Sequence, residues 1–352
     1  MPIGKHNTQE KWPLGELEIE NCTEYKYLGD IISNDGKNKQ NINDRKRKAT
    51  AATISINTLA SNEILNRIET SVLLELHERI TIPTLLNNAE AWVLQAQEVN
   101  EIEQIEISCL KTLFNLPIRT PTPAIIYALG ILYTRIRIDK KQLIYLHRIL
   151  NRHDNHWTKK TLYTLKELKI GWYTKIMAIL NSYEFSNDLD EIKNTPIALW
   201  KRMVTDAPEK KNKLRLLDEC HKKENGIETP KTKTKSIIEK LSVHEYERQP
   251  LNTLMPLTKN EGRTLIISRF GMLECGKNFK GTLTDHCPTC DLPDDEEHRL
   301  NKCNKYSETN FVNHDDKIPF ESVFSDDALI LKKILPRITQ VWDLKCGRGS
   351  MN

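Results

Sequence analysis

A compact group of cysteines with one histidine, near the end of the chain, constrains its fold most strongly. The stretch HCPTCDLPDDEEHRLNKC, residues 286–303, holds three of the eight cysteines, and the other five occur singly. Its ligand-type residues are spaced C-x2-C-x7-H-x4-C. Zinc takes four thiolate or imidazole ligands at the corners of a tetrahedron, and a CxxC turn supplies two of them. The spacing therefore predicts a zinc site with Cys287, Cys290, His298 and Cys303 as ligands.

All four positions of this predicted site are filled by side chains, which is typical of a structural zinc and not of a catalytic one. The acidic residues directly before His298 are typical of the first turn of a helix, so His298 and Cys303 are expected about one turn apart. Two alternatives stay open: a chance clustering in a loop, and His286 as a competing ligand. Isolated cysteines elsewhere favour a reducing compartment, where such a group binds metal and does not form disulfides.

Length and composition indicate a polar protein with room for two or three domains. The chain has 352 residues, of which 38% are hydrophobic and 28% charged, and a chain of this size buries a sizeable core. No run of about 18 apolar residues occurs, so we expect no membrane span. The first residues lack the apolar run of a signal peptide, so we expect a protein that is not secreted.

Alternation of apolar and polar residues near the N-terminus predicts a short β-hairpin. In ELEIENCTEYKYLGDIISNDG the pattern favours two short strands, one before Cys22 and one around Tyr25–Ile32. A turn signal lies directly after them at Asn34-Asp35-Gly36. The N-terminal stretch is therefore expected to be extended, in contrast with the rest of the chain.

Apolar residues at helical spacing predict that the rest of the chain is mainly α-helical. The first predicted helix begins at Asn41, and further helices are predicted at 61–80, 89–117, 135–152, 158–182, 196–224, 256–275 and 326–341. Pro83 should end or offset the second of them. RTPTP at 119–123 should form a rigid break, and 222–236 has the composition of a linker.

Two aspartates in VFSDDALI, residues 323–330, are similar to the Phe/Tyr-x-Asp-Asp turn of polymerases that use two metal ions. Ser325 is a good helix N-cap, however, and Asp326 and Asp327 would then lie in the first turn. The helical spacing of the next residues favours a capped helix over a catalytic turn between strands.

Charge is distributed in blocks, although the net charge is only +4. Residues 37–60 contain six Lys or Arg against one acid, 61–110 contain two against nine, and 111–170 contain twelve against three. Two basic segments can bind a polyanion while an acidic segment faces away from it. The candidate nucleic-acid contacts are Arg45, Lys46, Arg47 and Lys48 in the first block and Arg137, Lys141, Arg148 and Arg152 in the third.

The two candidate sets are placed differently on their helices. The first lies in the first turns, where the helix dipole disfavours cations, and this hints at an outside anion. The second is spaced 4, 7 and 4 residues apart, which places it on one polar face. A solvated helix face without a ligand is the alternative for every member. Tyr145 and Trp157 can stack on bases, although packing in the core or at its boundary is the expected role of each.

Three stretches together resemble one protein family. They are YKYLGDIISNDGKNKQNI at 25–42, IPTLLNNAEAWVLQAQEVNEIEQIEISCLKTLFNLPIRTPTPAIIYALGIL at 82–132, and the Cys/His stretch at 286–303. In this order they resemble the C-terminal half of the reverse transcriptase of LINE-type, non-LTR retrotransposons. In that family a YLG…DG strand pair ends the palm, a helical thumb carries an ExW…LP…TP…G pattern, and a Cys-Cys-His-Cys zinc knuckle follows. The matching residues are Tyr27, Leu28, Gly29, Asp35, Gly36, Glu90, Trp92, Leu116, Pro117, Thr120, Pro121, Gly130 and the four predicted zinc ligands.

The resemblance implies a fold and a function. The implied parts are a hairpin from the end of the palm at 1–36, a thumb-like helical bundle at 37–224, a linker with connecting helices at 225–285, the zinc knuckle at 286–303 and a helical tail at 304–352. The implied partner is RNA or an RNA–DNA hybrid, with DNA as a further candidate and no small-molecule substrate. The resemblance to this family implies a nuclear location. If the resemblance is set aside, we expect a cytoplasmic location. The family's catalytic aspartates would lie upstream of residue 1, so we expect the chain by itself not to polymerise DNA.

Two other functions stay open. In the first, the chain is a zinc-stabilised helical protein-interaction module, with the acidic helix at 98–106 as its partner surface, and generic RNA should not bind to it. In the second, the chain is a fragment of an active reverse transcriptase whose palm lies upstream, and an upstream reading frame should carry the Phe/Tyr-x-Asp-Asp motif.

Overall fold

A computed structural model of the protein describes residues 12–19, 22–61, 68–221, 256–276, 278, 285–303, 318–325 and 327–342. The protein is mainly helical, with short antiparallel β-hairpins near the N-terminus and a Cys/His cluster near the C-terminus, which confirms the predicted fold class. The strands are β1 (Trp12–Leu14), β2 (Leu17–Ile19), β3 (Glu24–Tyr27) and β4 (Asp30–Ser33). No helix in the described ranges is long and apolar enough to cross a membrane.

The α-helices are numbered in chain order. They are α1 (Lys39–Ser61), α2 (Thr70–Leu76), α3 (Ile82–Leu85), α4 (Ala96–Leu113), α5 (Thr122–Leu129), α6 (Thr134–Leu150), α7 (Trp157–Leu168), α8 (Gly171–Ser182), α9 (Leu189–Asn194), α10 (Ile197–His221), α11 (Lys259–Arg269), α12 (Glu296–Asn301) and α13 (Ala328–Val341). A π-helical segment (His77–Thr81) and two 3-10 turns (Ala89–Ala91 and Phe320–Phe324) complete the helical elements of the described ranges.

The N-terminal strands form two hairpins, so the prediction of two strands was wrong in number. The stretch predicted as one strand folds back on itself, and β3 pairs with β4 in antiparallel register, Tyr25 opposite Ile32. Leu28 and Gly29 form the turn with φ angles of 47° and 93°. A two-residue hairpin turn with both φ angles positive matches the twist of the flanking strands. Alternation of apolar residues continues through such a short turn and therefore conceals it.

Several helix boundaries differ from the predicted ones for local reasons. The helix predicted at 158–182 is divided into α7 and α8, because Lys169 takes a left-handed conformation with φ of 52° at the end of α7. Pro83 lies in the first turn of α3, where a proline is tolerated, and the π-helical segment precedes it. Of the helix predicted at 61–80, residues 62–67 lie outside the described residues, and the remainder contains α2 and most of the π-helical segment. The linker predicted at 222–236 also lies outside the described residues.

The chain divides into two compact units, and both contain stretches of the predicted 37–224 region. The first unit comprises Met1–Ala52, Glu78–Ser108 and Leu132–Lys213. Its core lies among α6 to α10, where α6 packs against α7, α8 and α9. The indole of Trp200 is buried there and donates to the carbonyl of Leu143 (3.0 Å). Gln142 ties α6 to the first 3-10 turn by donating to the carbonyls of Ala89 (3.2 Å) and Trp92 (2.7 Å).

A buried carboxyl in this core leads to a prediction about pH. Burial raises the pKa of Asp139 from 3.8, although the Tyr183 hydroxyl donates to it at 3.0 Å and Arg135, Lys175 and Lys211 act in the opposite direction. A raised folded-state pKa means that the folded chain holds this proton more tightly. The contribution of Asp139 to stability is therefore greatest below pH 3.8 and is lost as pH rises through the folded pKa.

We expect Asp139→Asn to gain stability relative to the wild type as pH rises from about 4 to 7. The Asn carbonyl oxygen can still accept from Tyr183, and it carries no charge to bury. Urea unfolding of both proteins across this range isolates the effect in their difference. A difference that does not change with pH would show that Asp139 titrates like an exposed carboxyl.

The second unit comprises Thr53–His77, Cys109–Ile131 and Leu214–Asn352. Within it, α11 packs against α2, α5, α13 and the second 3-10 turn. Pro121 caps the N-terminus of α5 and Gly130, with φ of 59°, ends it, which explains the sequence pattern TPTP…LG. The buried Tyr127 and Phe270 rings meet edge to face, with centroids 6.4 Å apart. This core is the platform on which the Cys/His cluster lies.

Candidate metal centre

The first two cysteines of the cluster are placed by a tight turn. The backbone N–H of Cys287 donates to the carbonyl of Leu292 (2.8 Å), and that of Asp291 donates to the carbonyl of Cys287 (2.9 Å). Asp291 takes a left-handed conformation with φ of 54°, which Asp tolerates better than most residues. The turn therefore brings the thiols of Cys287 and Cys290 together from one short loop.

The other two ligands are placed by the short helix α12, as the acidic residues before His298 predicted. Asp295 is its N-cap, and its carboxylate accepts from the backbone N–H of His298 (2.7 Å). The backbone N–H of Cys303 donates to the carbonyl of His298 (2.8 Å), so the chain turns back where the helix ends. The end of α12 thus brings the side chains of His298 and Cys303 towards the same point.

The four side chains converge on one point. Their ligand atoms all lie within 4.8 Å of one another. The Sγ atom of Cys303 is 3.7 Å from that of Cys287 and 3.8 Å from that of Cys290. Around a tetrahedral zinc with zinc–sulfur bonds of about 2.3 Å, two sulfurs lie about 3.8 Å apart. The cluster therefore has the spacing of a tetrahedral thiolate site and forms a group able to hold a metal ion.

His298 is buried without satisfying its polar atoms. Its exposed fraction is 3%, and neither ring nitrogen has a hydrogen-bond partner among the described residues. A buried polar atom without a partner costs about 1–3 kcal/mol. A metal ion at the centre of the cluster would satisfy one of these nitrogens. His286, the alternative ligand in the sequence, is not a member of the group and instead forms a β-bridge with Pro293.

Thiolate character is already favoured at Cys287. Burial acts to raise the pKa of its thiol, but the backbone N–H groups of Thr289 and Cys290 and the nearby His298 ring outweigh burial and lower the pKa to about 6. The thiolate is the form that binds metal. The turn therefore stabilises the protonation state that a metal site requires.

Charged residues between the ligands hold the turn and α12 in place. Both carboxylate oxygens of buried Asp294 accept from Arg299 (2.5 and 2.6 Å), and one also accepts from the backbone N–H of Gly276 (2.6 Å). Burial acts to raise the pKa of Asp294, but Arg299 and Gly276 outweigh it and the pKa is lowered. Glu296 accepts from Asn278 (2.7 Å). The acidic run that signals the helix in the sequence therefore also anchors it.

The cluster is attached to the core of the second unit through α12. Leu300 is buried, α12 packs against α13, and Arg337 on α13 donates to the carbonyl of Leu300 (2.7 Å). Asn301 donates to the carbonyl of Ile318 (2.9 Å). The Cys/His cluster is thus part of a packed layer and not an isolated loop.

Arg45, the first nucleic-acid candidate, is occupied inside the protein. Its guanidinium is buried, lies 2.5 Å from the carboxylate of Asp30 and also donates to the carbonyl of Thr84 (3.4 Å). Asp30 in turn accepts from Asn88 (2.6 Å). Arg45 therefore ties the β3–β4 hairpin to α1 and is not part of the candidate binding surface.

The positive charges of the other three candidates on α1 are partly neutralised by an acidic side chain. Arg47 (2.8 Å) and Lys48 both pair with Asp44, whereas Lys46 is exposed. Because α1 begins at Lys39, these cations lie in its second turn and beyond, where the dipole has little effect. Their position therefore no longer hints at an outside anion.

Arg137, in the second set, is also an internal residue. Its side chain is 14% exposed, donates to both carboxylate oxygens of Glu78 (2.6 and 2.7 Å) and lies 3.6 Å from Glu106. Lys141 donates to the carbonyl of Leu86 (3.1 Å) and lies 3.9 Å from a carboxylate oxygen of Glu90. The four cations that the spacing places on one face of α6 therefore differ in environment. The first two, Arg137 and Lys141, contact other elements of the protein.

Arg148 and Arg152 are exposed at the C-terminal end of α6. One guanidinium nitrogen of Arg152 lies 2.8 Å from Nε2 of His156. Of the two aromatic candidates, Tyr145 packs edge to face against Trp172 (5.8 Å), as expected for a core residue. Trp157 is 81% exposed, so the expectation that it packs in the core or at its boundary was wrong.

Two other sequence interpretations need correction. Glu103 and Glu106 on α4 are buried, so the acidic partner surface predicted at 98–106 is smaller than the sequence indicated. Glu106 accepts from the hydroxyl of Thr134 and faces Arg137. In VFSDDALI the N-cap of α13 is Asp327, which accepts from the N–H of Leu329 (2.8 Å), and not Ser325. Asp326 lies outside the described residues.

Comparison with known protein families, curated proteins and solved structures finds no match to this chain.

Proposed function

We propose that the chain is a zinc-containing nucleic-acid-binding protein related to the C-terminal half of a non-LTR retrotransposon reverse transcriptase. In this proposal the helical first unit holds RNA or an RNA–DNA hybrid through phosphate contacts, and zinc stabilises the end of the second unit. The observation that carries the binding proposal is the joint exposure of Arg148 and Arg152 at one end of α6. Among the candidate arginines, the two that are not exposed, Arg45 and Arg137, are paired with carboxylates.

Zinc is the metal that the proposal assigns to the Cys/His cluster. Three thiolates with one imidazole are a ligand set typical of structural zinc, whereas Mg²⁺ and Ca²⁺ prefer oxygen ligands. With four ligands supplied by side chains, no position is left for a substrate, so the metal would have a structural role. It would hold the 285–294 turn against α12.

Phosphate contacts should weaken with salt in proportion to their number. Each phosphate neutralised contributes about −0.7 to the slope of log K against log salt on a single strand, and about −0.9 on a duplex. We expect the double variant Arg148→Gln, Arg152→Gln to bind unrelated RNA sequences less tightly and to reduce the slope by about 1.5. Titration of labelled RNA across a salt series measures both effects.

The matched control is Lys201→Gln, Arg202→Gln on α10, which removes the same charge from exposed residues of the same unit. If both double variants reduce the slope equally, binding follows net charge and not the face at the end of α6. If wild-type protein binds neither RNA, DNA nor a hybrid at about 50 mM salt, the proposal fails and the protein-interaction hypothesis replaces it.

A further inference from the structure

Aromatic and cationic side chains alternate along the exposed surface of α7. Trp157, Lys160, Tyr163 and Lys166 succeed one another at intervals of three residues, and all four are exposed. Residues three apart are neighbours on a helix surface, but each such step falls about 60° short of a full turn, so the series winds around α7 and Lys166 lies on the other side of the helix from Trp157. The ammonium group of Lys160 lies 5.7 Å from the centre of the Trp157 ring, and that of Lys166 lies 5.9 Å from the Tyr163 ring. We call these four residues the α7 strip.

The buried side of α7 is occupied by packing within the first unit. Leu162 is fully buried in the core formed with α6 and α8. Tryptophan normally buries about 150–250 Å² and contributes strongly to a core, but Trp157 is 81% exposed. The helix therefore does not need Trp157 for its packing, and the ring remains accessible although Lys160 lies over it.

The surroundings of the strip are positively charged. Residues 148–169 contain six Lys or Arg and two acids. One cation and one acid neutralise each other, since Lys159 is buried and pairs with Asp154 at 2.6 Å. Exposed Arg148 and Arg152 precede the strip in the chain, and Lys169 comes after it. A ligand of this surface must therefore be an anion, and one that benefits from a flat aromatic contact.

We propose that the Trp157 end of the α7 strip binds single-stranded nucleic acid, with a base stacked on Trp157 and a phosphate beside Lys160. Stacking on aromatic rings next to a cationic groove is how proteins bind single strands without sequence preference. A duplex keeps its base faces stacked inside, and an acidic peptide has no base to stack. This inference rests on the proposed function and adds to it both the strand type and the residue that contacts a base.

The experiment compares a short oligothymidylate with an abasic strand of the same length and charge. Wild-type protein should bind the oligothymidylate about 10-fold more tightly, because stacking of one base on an aromatic ring is worth about that factor. Trp157→Ala should remove this preference and leave binding of the abasic strand unchanged. Trp157→Phe should retain most of it, because the phenyl ring still offers a face for stacking.

Leu168→Ala is the matched control, since Leu168 is an exposed apolar residue at the other end of α7 and has no ring. It should change neither affinity. Circular dichroism should show all three variants folded, because neither altered side chain is part of the core.

The outcomes separate this inference from the proposed function. Equal binding of both strands, with no effect of Trp157→Ala, would overturn stacking while leaving charge-driven nucleic-acid binding intact. Equal binding of polyglutamate and oligothymidylate would overturn the strip as a nucleic-acid surface and indicate an acidic protein partner. Absence of all binding at low salt would overturn both proposals.

Discussion

The double variant Cys287→Ser, Cys290→Ser should contain almost no zinc, whereas the wild-type chain should contain about one ion per molecule. The reason is that the ligand atoms already lie within 4.8 Å of one another. Two serine hydroxyls cannot replace two thiolates, because zinc in structural sites is bound by sulfur and nitrogen. The remaining His298 and Cys303 would be too few to hold the ion. Elemental analysis of purified protein measures the ratio.

Loss of the ion should also loosen the turn and α12. Metal binding to such small sites contributes on the order of 10 kcal/mol to their folding. We therefore expect the amides of 285–303 to exchange hydrogen much faster in the double variant and after chelation, whereas α6 to α8 keep their protection. Cobalt substituted for zinc should show the visible absorption of a tetrahedral thiolate site.

Cys22→Ser is the control for this experiment, because Cys22 is an exposed cysteine outside the cluster. It should retain the full zinc content. A double variant that also retains the full content would place the metal elsewhere and contradict the assignment. Zinc lost without any change in hydrogen exchange at 285–303 would show that the metal does not stabilise this segment.

Arg137→Met should destabilise the first unit by about 3–5 kcal/mol. Glu106 is 1% exposed, and the Arg137 guanidinium faces it at 3.6 Å. Removal of the guanidinium takes a compensating positive charge away from this buried carboxylate and also deprives Glu78 of two hydrogen bonds. Urea unfolding followed by circular dichroism measures the change.

Arg148→Met is the control on the same helix, and it should change stability by no more than about 0.5 kcal/mol because Arg148 is exposed. Adding Glu106→Gln to Arg137→Met should recover part of the loss, since contacting residues are coupled. If Arg137→Met instead keeps wild-type stability and binds RNA less tightly, Arg137 belongs to the binding surface and the structural role assigned to it is wrong.

Local sequence signals were sufficient where all the participants lie close together in the chain. The predicted ligands Cys287, Cys290, His298 and Cys303 lie within 17 residues and converge as expected. The short helix that carries His298 is also local, because Asp295 caps it. The β3–β4 hairpin is the counterexample, since its two-residue turn left no break in the apolar pattern.

Helical spacing was insufficient where a side chain finds its partner on another element. Arg137 and Arg148 appeared equivalent because both lie on one polar face of α6. In the structure Arg137 is bound by Glu78, 59 residues away in the chain, and Arg148 is exposed. A helical pattern specifies the direction of a side chain but not the element that it meets.

By itself the sequence determined that the chain is mainly helical, where its charge blocks lie and which four residues form the Cys/His cluster. These features depend on periodicity and on short-range turns and caps, which act between residues a few positions apart. Only the tertiary structure decided that Arg45 and Arg137 are internal, that Glu103 and Glu106 are buried and that Trp157 is exposed. Exposure and ion pairing depend on which elements pack together, and that packing joins residues far apart in the chain.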